Sequence, residues 1–277
     1  MSFFNRQLYK QKPSAWGPVS SVQASIFKNV EMAGIDPASI AFAMPMWGPG
    51  NQLDYCNPIN TFSNNLVSYD KGSLSFNGTT TYLAQSINSK IFETRPFTLF
   101  IKFTNIGDDV ASHWIFAKED TNLSSGFGFR RYGTGLYFQS GTASSYLYKA
   151  SGAIANNQTL SICHRIVSQT NYDVFIDNKL GVGWTKTTSY NTNDPTINTL
   201  QIGRSNGSYQ GYHNGRIYYF YVFNTALTDG QITYLSDNPY FLLQRVAPVY
   251  YSVPGGAVLP TFNPLFLNAA QPTKVIQ

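Results

Sequence analysis

The chain has 277 residues, of which 43% are hydrophobic, 16% aromatic and only 12% charged, with a formal net charge of +5. Soluble domains are usually about a quarter charged, and disordered chains are poor in aromatics and rich in charge, so disorder is excluded and strands joined by polar turns are indicated. Nineteen Lys and Arg over the whole length build no dense basic patch, which argues against nucleic-acid binding.

Residues 1–40 have little periodicity. Pro13, Gly17 and Pro18 interrupt them, Val30 to Ala33 offers one helical turn, and the segment reads as an extended N-terminal arm. Arg6, Lys10, Lys12 and Lys28 precede the first acid, Glu31, and give this arm a small cationic excess. Ile40 to Trp47 is a short apolar strand ended by Gly48-Pro49-Gly50, and Asp54 to Asn65 reads as loop.

Regular strand signals begin at Ser73-Leu74-Ser75-Phe76, which stops at the tight-turn dipeptide Asn77-Gly78. Phe97 to Phe103 alternates large apolar residues at every second position, the mark of a half-buried strand. Further strands are predicted at Trp114–Lys118, Gly126–Arg131, Leu136–Ser140, Ser145–Ala150, Thr159–Ser168, Tyr172–Ile176, Val182–Thr185, Leu200–Ile202 and Arg216–Phe223. Strands of this length, with turn signals about every ten residues, predict an all-β, two-sheet antiparallel sandwich. One short helix is predicted over Thr228–Leu235, with Thr228 as N-cap and an end before Asn238-Pro239.

After Tyr240 the pattern dissolves into prolines alternating with aromatics and aliphatics: Pro248, Pro254, Pro260, Pro264 and Pro272 with Tyr250, Tyr251, Phe262 and Phe266. A linker would be poor in apolar residues, so residues 244–277 are expected to be an extended C-terminal arm pinned to a surface. The organisation expected is an arm over 1–40, a sandwich over 41–243 and a second arm over 244–277. Phe3, Phe4, Arg6, Trp16, Tyr250, Tyr251, Phe262 and Phe266 are the candidate anchoring residues.

The sandwich stretch resembles the laminin-G-like, concanavalin-A-like family of jelly rolls. Ser73-Leu74-Ser75-Phe76-Asn77-Gly78 resembles its opening "L-x-F-[DN]-G" strand, and Phe97 to Phe103 its "F-T-[IL]-x-x-[WF]-x-[KR]" strand. Tyr172 to Lys179 is similar to "Y-x-[LV]-Y-[VI]-[DN]-G", with Asn-Lys in place of the final Gly. Leu200 to Arg204, Tyr212 to Ile217, and Phe220 to Leu227 with Gln231-Ile232 follow its closing block. Outside the sandwich, Ala43 to Gly50 and Asp237 to Leu243, leading to Pro248–Pro254, resemble phage members of the family, which are usually virion proteins.

Catalysis is not expected. A glycosidase needs two carboxylates at a set separation, yet Glu31, Glu93 and Glu119 are the only glutamates, and neighbours such as Glu119-Asp120 point to opposite sides of a strand. His113, His164 and His213 have no zinc spacing and read as strand-end or packing residues. Cys163-His164 is no nucleophile pair for the same strand-parity reason. Cys56 and Cys163 are expected as reduced thiols. No cofactor is expected. The resemblance makes calcium the ion to look for, but Thr79-Thr80-Thr81 occupies the position where relatives carry acids, leaving Asp108-Asp109, which reads first as a solvated turn.

Tyr132, Tyr137, Tyr146, Tyr148, Tyr190, Tyr209 and Tyr212 lie in or beside polar segments and could contact a glycan or a protein. The resemblance implies a structural virion protein, a capsid decoration or cement subunit, with the major capsid protein, other virion subunits or further copies of itself as partners. The alternative is a carbohydrate-binding adhesin or tail-associated receptor-binding protein with host-surface glycans as ligands. The start Met1–Arg6 lacks a leader pattern and no run reaches the ~18 apolar residues of a membrane span. The expectation is therefore synthesis in a host cytoplasm, a place on the virion surface and no membrane insertion.

Overall fold

The computed structural model describes residues 19–45, 54–56, 62–70, 72–86, 91–92, 95–106, 112–119, 126–140, 146–149, 154–168, 171–177, 179–186, 199–205, 211–238, 242, 248–252 and 258–262. The chain forms two compact units, Ala38–Asn238 and Met1–Pro37 with Pro239–Gln277.

The larger unit is a two-sheet antiparallel β-sandwich. In the first sheet, β13 (Lys179–Leu180), β12 (Tyr172–Ile176), β11 (Thr159–Ile166), β6 (Phe97–Asn105), β16 (Asn214–Phe223), β4 (Ser73–Asn77) and β3 (Ser68–Asp70) lie side by side in that order. A further strand, β1 (Ile40–Pro45), also pairs with β16. The second sheet runs β14 (Thr185–Lys186), β10 (Tyr146–Lys149), β9 (Gly135–Ser140), β8 (Gly126–Tyr132), β7 (Ser112–Glu119), β15 (Thr199–Ile202), β5 (Tyr82–Ser86), β2 (Ser63–Asn65).

Alternation within these strands builds the core. Leu99, Ile101, Phe103, Ile217 and Phe220 of the first sheet meet Phe116, Phe127, Phe129, Phe138 and Leu200 of the second. Phe116 stacks on Phe220 at 4.8 Å, and Phe129 on Phe138 at 4.4 Å. Ring pairs of this kind add to what their buried area contributes. The glycine of the Leu200-to-Gly203 motif has a physical reason: Gly203 has φ +87°, and a Cβ there would stand 2.3 Å from the Phe76 ring.

The outer face of the first sheet is covered as well. Strand β6, expected to be half-buried, is buried on both sides, because Thr98, Phe100 and Thr104 are as inaccessible as the core residues between them. Phe175, Tyr221 and Phe223 on the same outward parity are also buried. The chain leading into helix α2 (Asp229–Asp237) is tied to this face. Thr98 Oγ1 donates to Thr225 O at 2.8 Å and accepts from Leu227 N at 3.1 Å. Arg165, on the same face, donates to Leu227 O at 2.8 Å and pairs with Asp229 and Asp173. Helix α2 begins at the expected N-cap with a full capping box: Gln231 N donates to the Thr228 hydroxyl, and Thr228 N to Gln231 Oε1.

In the smaller unit the expectation for residues 1–40 needs correction. Val19–Met32 is an α-helix, α1, not extended chain. Val19, Val22, Ile26 and Val30 recur at helical spacing, and Ile26 and Val30 are buried. The helix closes on a Schellman turn, with Gly34 at φ +69°, Ile35 N bonded to Val30 O and Gly34 N to Glu31 O. Asn29 Nδ2 donates to Leu242 O at 3.2 Å, so α1 is tied to the segment that follows the sandwich. In the tail, β17 (Pro248–Ser252) and β18 (Val258–Phe262) pair with each other as an antiparallel hairpin. Of the candidate anchors, Tyr250 and Tyr251 lie in β17 and Phe262 in β18, whereas Phe3, Phe4, Arg6, Trp16 and Phe266 lie outside the described residues.

Candidate binding face

With Phe127, Phe129, Leu136, Phe138 and Leu147 in the core, strand parity puts their neighbours on the outside of the second sheet. Register then assembles that face. Trp114 of β7 opposes Arg130 of β8, Arg130 opposes Tyr137 of β9, and Tyr137 opposes Tyr148 of β10. The side chains follow the register as a ladder of flat groups. The Arg130 guanidinium lies over the Trp114 ring at 5.3 Å and over the Tyr137 ring at 5.6 Å. Tyr137 and Tyr148 stack at 5.5 Å with planes 7° apart, and Tyr132 meets Tyr137 edge-on at 6.2 Å.

A second cluster lies on the other side of Trp114. Tyr212 forms backbone bridges to both Trp114 and Arg204. The Arg204 guanidinium is 3.7 Å from the centroid of Tyr82 and 5.9 Å from that of Tyr212. Arg204 Nε donates to Gln201 Oε1 at 2.9 Å, and Arg130 Nη1 to the Ser112 hydroxyl at 2.8 Å, so both guanidiniums are held in place. From Tyr148 on β10 to Tyr82 on β5 the face crosses five strand separations, about 24 Å at the ~4.8 Å spacing of paired strands.

The tyrosines named from sequence are thus not scattered. Tyr132, Tyr137 and Tyr148 share one cluster, the Tyr146 backbone pairs opposite Gln139, and Tyr212 belongs to the second cluster. Tyr190 and Tyr209 lie outside the described residues, as do Asp108 and Asp109. Their exposures differ: Tyr132 is 53% accessible, whereas Tyr137, Tyr148 and Tyr212 are less so. Trp114, Arg130, Gln139, Gln201, Arg204 and Tyr82 were missed. A local signal existed for Arg130 and its neighbours, since Gly126, Gly128, Arg130 and Tyr132 alternate with Phe127, Phe129 and Arg131. Gly128 makes room for the indole: a Cβ there would be 2.6 Å from Trp114 Cζ3.

The titratable groups weighed for catalysis are elsewhere. His113 is buried, with Nδ1 2.7 Å from Tyr212 O. His164 stacks on Phe138 at 4.2 Å inside the core, while Cys163 beside it takes the opposite parity, opposing Phe100 and Phe175. Burial pushes His164 and His213 down from the usual 6.5 to about 3, the charge of His113 adding to the effect at His213. Burial likewise raises the Cys163 thiol well above its ordinary range, and Asp54 adds to burial in doing the same at Cys56. Both cysteines are free thiols. Glu31 is on α1, paired with Lys28 at 2.6 Å, and Glu119 closes β7 opposite Gly126. Glu93 and Asp120 lie outside the described residues. Among the described residues no group of three His, Cys, Asp or Glu side chains could hold a metal ion, and no helix is long and apolar enough to cross a membrane.

At the first motif's turn, where relatives would place acids, Asn77 closes the loop. Its Oδ1 accepts from the backbone N–H groups of Thr79, Thr80 and Thr81, at 2.9–3.1 Å, and from the Thr81 hydroxyl. An oxygen ringed by four donors faces hydrogens, not a cation.

No protein-family model matches the chain, and no curated protein matches it by sequence. Solved structures do. A Trypanosoma rangeli sialidase in complex with sialic acid is similar over 81% of this chain and 38% of its own, with 13% identity and a TM-score of 0.60. The binding domain of botulinum neurotoxin serotype D is similar over 72% of this chain and 52% of its own, with 11% identity and a TM-score of 0.56. The binding domain of botulinum neurotoxin DC, in complex with rat synaptotagmin II, is similar over 76% of this chain and 53% of its own, with 14% identity and a TM-score of 0.55. The chain therefore spans about half or less of each. The shared feature is the lectin-like β-sandwich.

Proposed function

We propose that this chain is a carbohydrate-binding protein whose ligand lies on the open face of the second sheet. Folds of this kind serve enzymes and binding domains alike, so the reading must come from the site. The observation that carries it is the contrast between the two outer faces. One buries Phe100, Phe175, Tyr221 and Phe223 beside Thr98, carries the paired Arg165 and Asp173, and is tied to the chain entering α2. The other carries the exposed Tyr132 and the partly exposed Tyr82, Tyr137, Tyr148, Tyr212, Arg130 and Arg204 over a buried Trp114, Gln139 and Gln201, and none of the exposed aliphatic side chains among the described residues stands on it. Phenols and guanidiniums on a rigid sheet are groups that hydrogen-bond sugar hydroxyls, with Tyr132 offering a ring face. The role proposed is binding, which rests on the phenols and guanidiniums that this face carries. A glycan array probed with the full chain tests this. Specific signals that vanish in Tyr132→Ala are expected, and an array at background level refutes the reading.

A second reading concerns the terminal segments and is compatible with the first. The phage-like character of Ala43–Gly50 and Asp237–Pro254, and the apolar, proline-spaced tail, support a structural virion protein. It would be a capsid decoration subunit anchored on the major capsid protein or on neighbouring copies, displaying the sandwich outward. Binding of purified chain to undecorated capsids, lost on deletion of residues 244–277, is the expected result. Equal binding by the truncated chain removes the support for this reading.

A further inference from the structure

The groups on the open face also indicate which kind of glycan it holds. We infer that the ligand is an extended, anionic oligosaccharide, carrying carboxylate or sulfate groups and lying across the strands. This rests on the carbohydrate-binding reading above.

The aromatic rings argue against a neutral chain stacked on a platform. Tyr137 and Tyr148 turn their faces to each other and to Arg130, and Trp114 is fully buried. What such a ladder presents outward is edges: phenol hydroxyls and guanidinium N–H groups. Among the described side chains of this face the charged ones are Arg130 and Arg204, both partly exposed. Glu119 stands at the end of β7 by register. A guanidinium is always charged, and its planar fork matches carboxylate or sulfate oxygens better than a neutral hydroxyl.

The two arginines are also held in place independently of each other. Arg130 is fixed over Trp114 by Ser112, and Arg204 over Tyr82 by Gln201. Arg130 lies on β8 and Arg204 just past β15, with β7 and the bridging Tyr212 between them, so the two backbones are two to three strand separations apart, about 10–14 Å. Each guanidinium is held over its own ring. Holding them beforehand lowers the ordering cost on binding.

The test is calorimetry on the full chain with four probes of similar length: an oligogalacturonate, a heparin-derived oligosaccharide, a neutral oligogalactoside and a single-stranded oligothymidine. The expected result is binding of one or both acidic glycans, with carboxylate and sulfate told apart by which probe binds. The neutral glycan should be at least about tenfold weaker, and Arg130→Gln and Arg204→Gln should each weaken acidic binding about tenfold. Affinity should fall as salt rises, and Arg204→Lys should recover part of the loss. Melting curves show which variants fold. If the Gln variants unfold, the acidic-to-neutral ratio and the salt slope of the native chain decide. Equal binding of neutral and acidic glycans without salt dependence overturns this inference and leaves the carbohydrate reading standing. Binding of no glycan overturns both. Tighter binding of oligothymidine than of any glycan makes the face a nucleic-acid site and overturns the inference.

Discussion

Arg130 lies over the indole of Trp114, its guanidinium carbon 5.3 Å from the ring centroid. The tryptophan is on the outside of its sheet, clustered with Ala117 apart from the main core, and yet is fully buried. Gly128 on the adjacent strand gives the indole its space, and Arg130 covers it. The centre of the binding face is therefore a packed unit, and its geometry depends on a residue that cannot itself touch ligand.

Gly128→Ala tests that dependence. The added methyl would stand 2.6 Å from Trp114 Cζ3 and 3.0 Å from Phe116 O, and a backbone oxygen does not yield easily. Overpacking of this kind costs about 1–3 kcal/mol. Urea denaturation should show a loss in that range, together with weaker glycan binding because the indole and the arginine above it are displaced.

Stability should fall in mild acid. His164 and His213 titrate near 3 in the fold against 6.5 when unfolded. Between those values the unfolded chain binds protons that the folded chain refuses. Stability is therefore full above pH 6.5 and is lost as pH drops towards 3, by roughly 2 kcal/mol per histidine at pH 5. Denaturation curves at pH 7.5 and pH 5 measure this. His164→Phe should flatten the pH dependence even though it leaves Asp173 O without the ring donor it has at 2.9 Å.

Thr98→Val is nearly isosteric but removes a hydroxyl that both donates to Thr225 O and accepts from Leu227 N. Residue 98 is fully buried and Leu227 nearly so, and an unsatisfied buried group costs about 1–3 kcal/mol. The chain entering α2 should loosen. Amide hydrogen exchange over residues 225–237 should accelerate more than in β11 or β6.

Much of the sandwich is legible in the sequence because its signals are local. Asn77-Gly78 marks a turn, the period of two marks β6, and Thr228 with Gln231 marks the start of α2. What stays hidden depends on partners distant in sequence. Ser63–Asn65 and Ser68–Asp70 are polar residues that become strands by pairing with β5 and β4. Helix α1 was obscured by the prolines before it, although its apolar spacing was present. The tyrosines could be named singly, but their joining with Trp114, Arg130 and Arg204 required the register of six strands. Burial on both faces of β6 follows from what covers the outer face of its sheet, which no pattern within residues 97–105 encodes.

The Asn77 turn should take no calcium. The Asn77 side chain gives its oxygen to three backbone N–H groups and one hydroxyl, while its Nδ2 donates to the Thr80 hydroxyl at 2.9 Å. The response of the melting temperature to millimolar calcium and to chelator should be the same in Asn77→Ala as in the native chain. Asn77→Ala frees these donors in an exposed turn and should cost about 1 kcal/mol, whereas Asn77→Asp keeps the acceptor and should cost less.

Tyr132 and Tyr137 separate binding from folding. Tyr132 is 53% exposed and meets its neighbour edge-on, so Tyr132→Ala removes an accessible ring from little packing and should change stability by about 0.5 kcal/mol or less. Tyr137 stacks on Tyr148, touches Tyr132 and lies under Arg130. Tyr137→Ala breaks the ladder at its middle, and cross-strand aromatic pairs contribute up to about 1 kcal/mol each. It should therefore lower stability by about 1–2 kcal/mol as well as weaken the glycan. If the face serves packing alone, Tyr132→Ala leaves every glycan signal intact. If it holds a glycan, loss of Tyr132 lowers affinity at nearly constant melting temperature, and loss of Tyr137 lowers both.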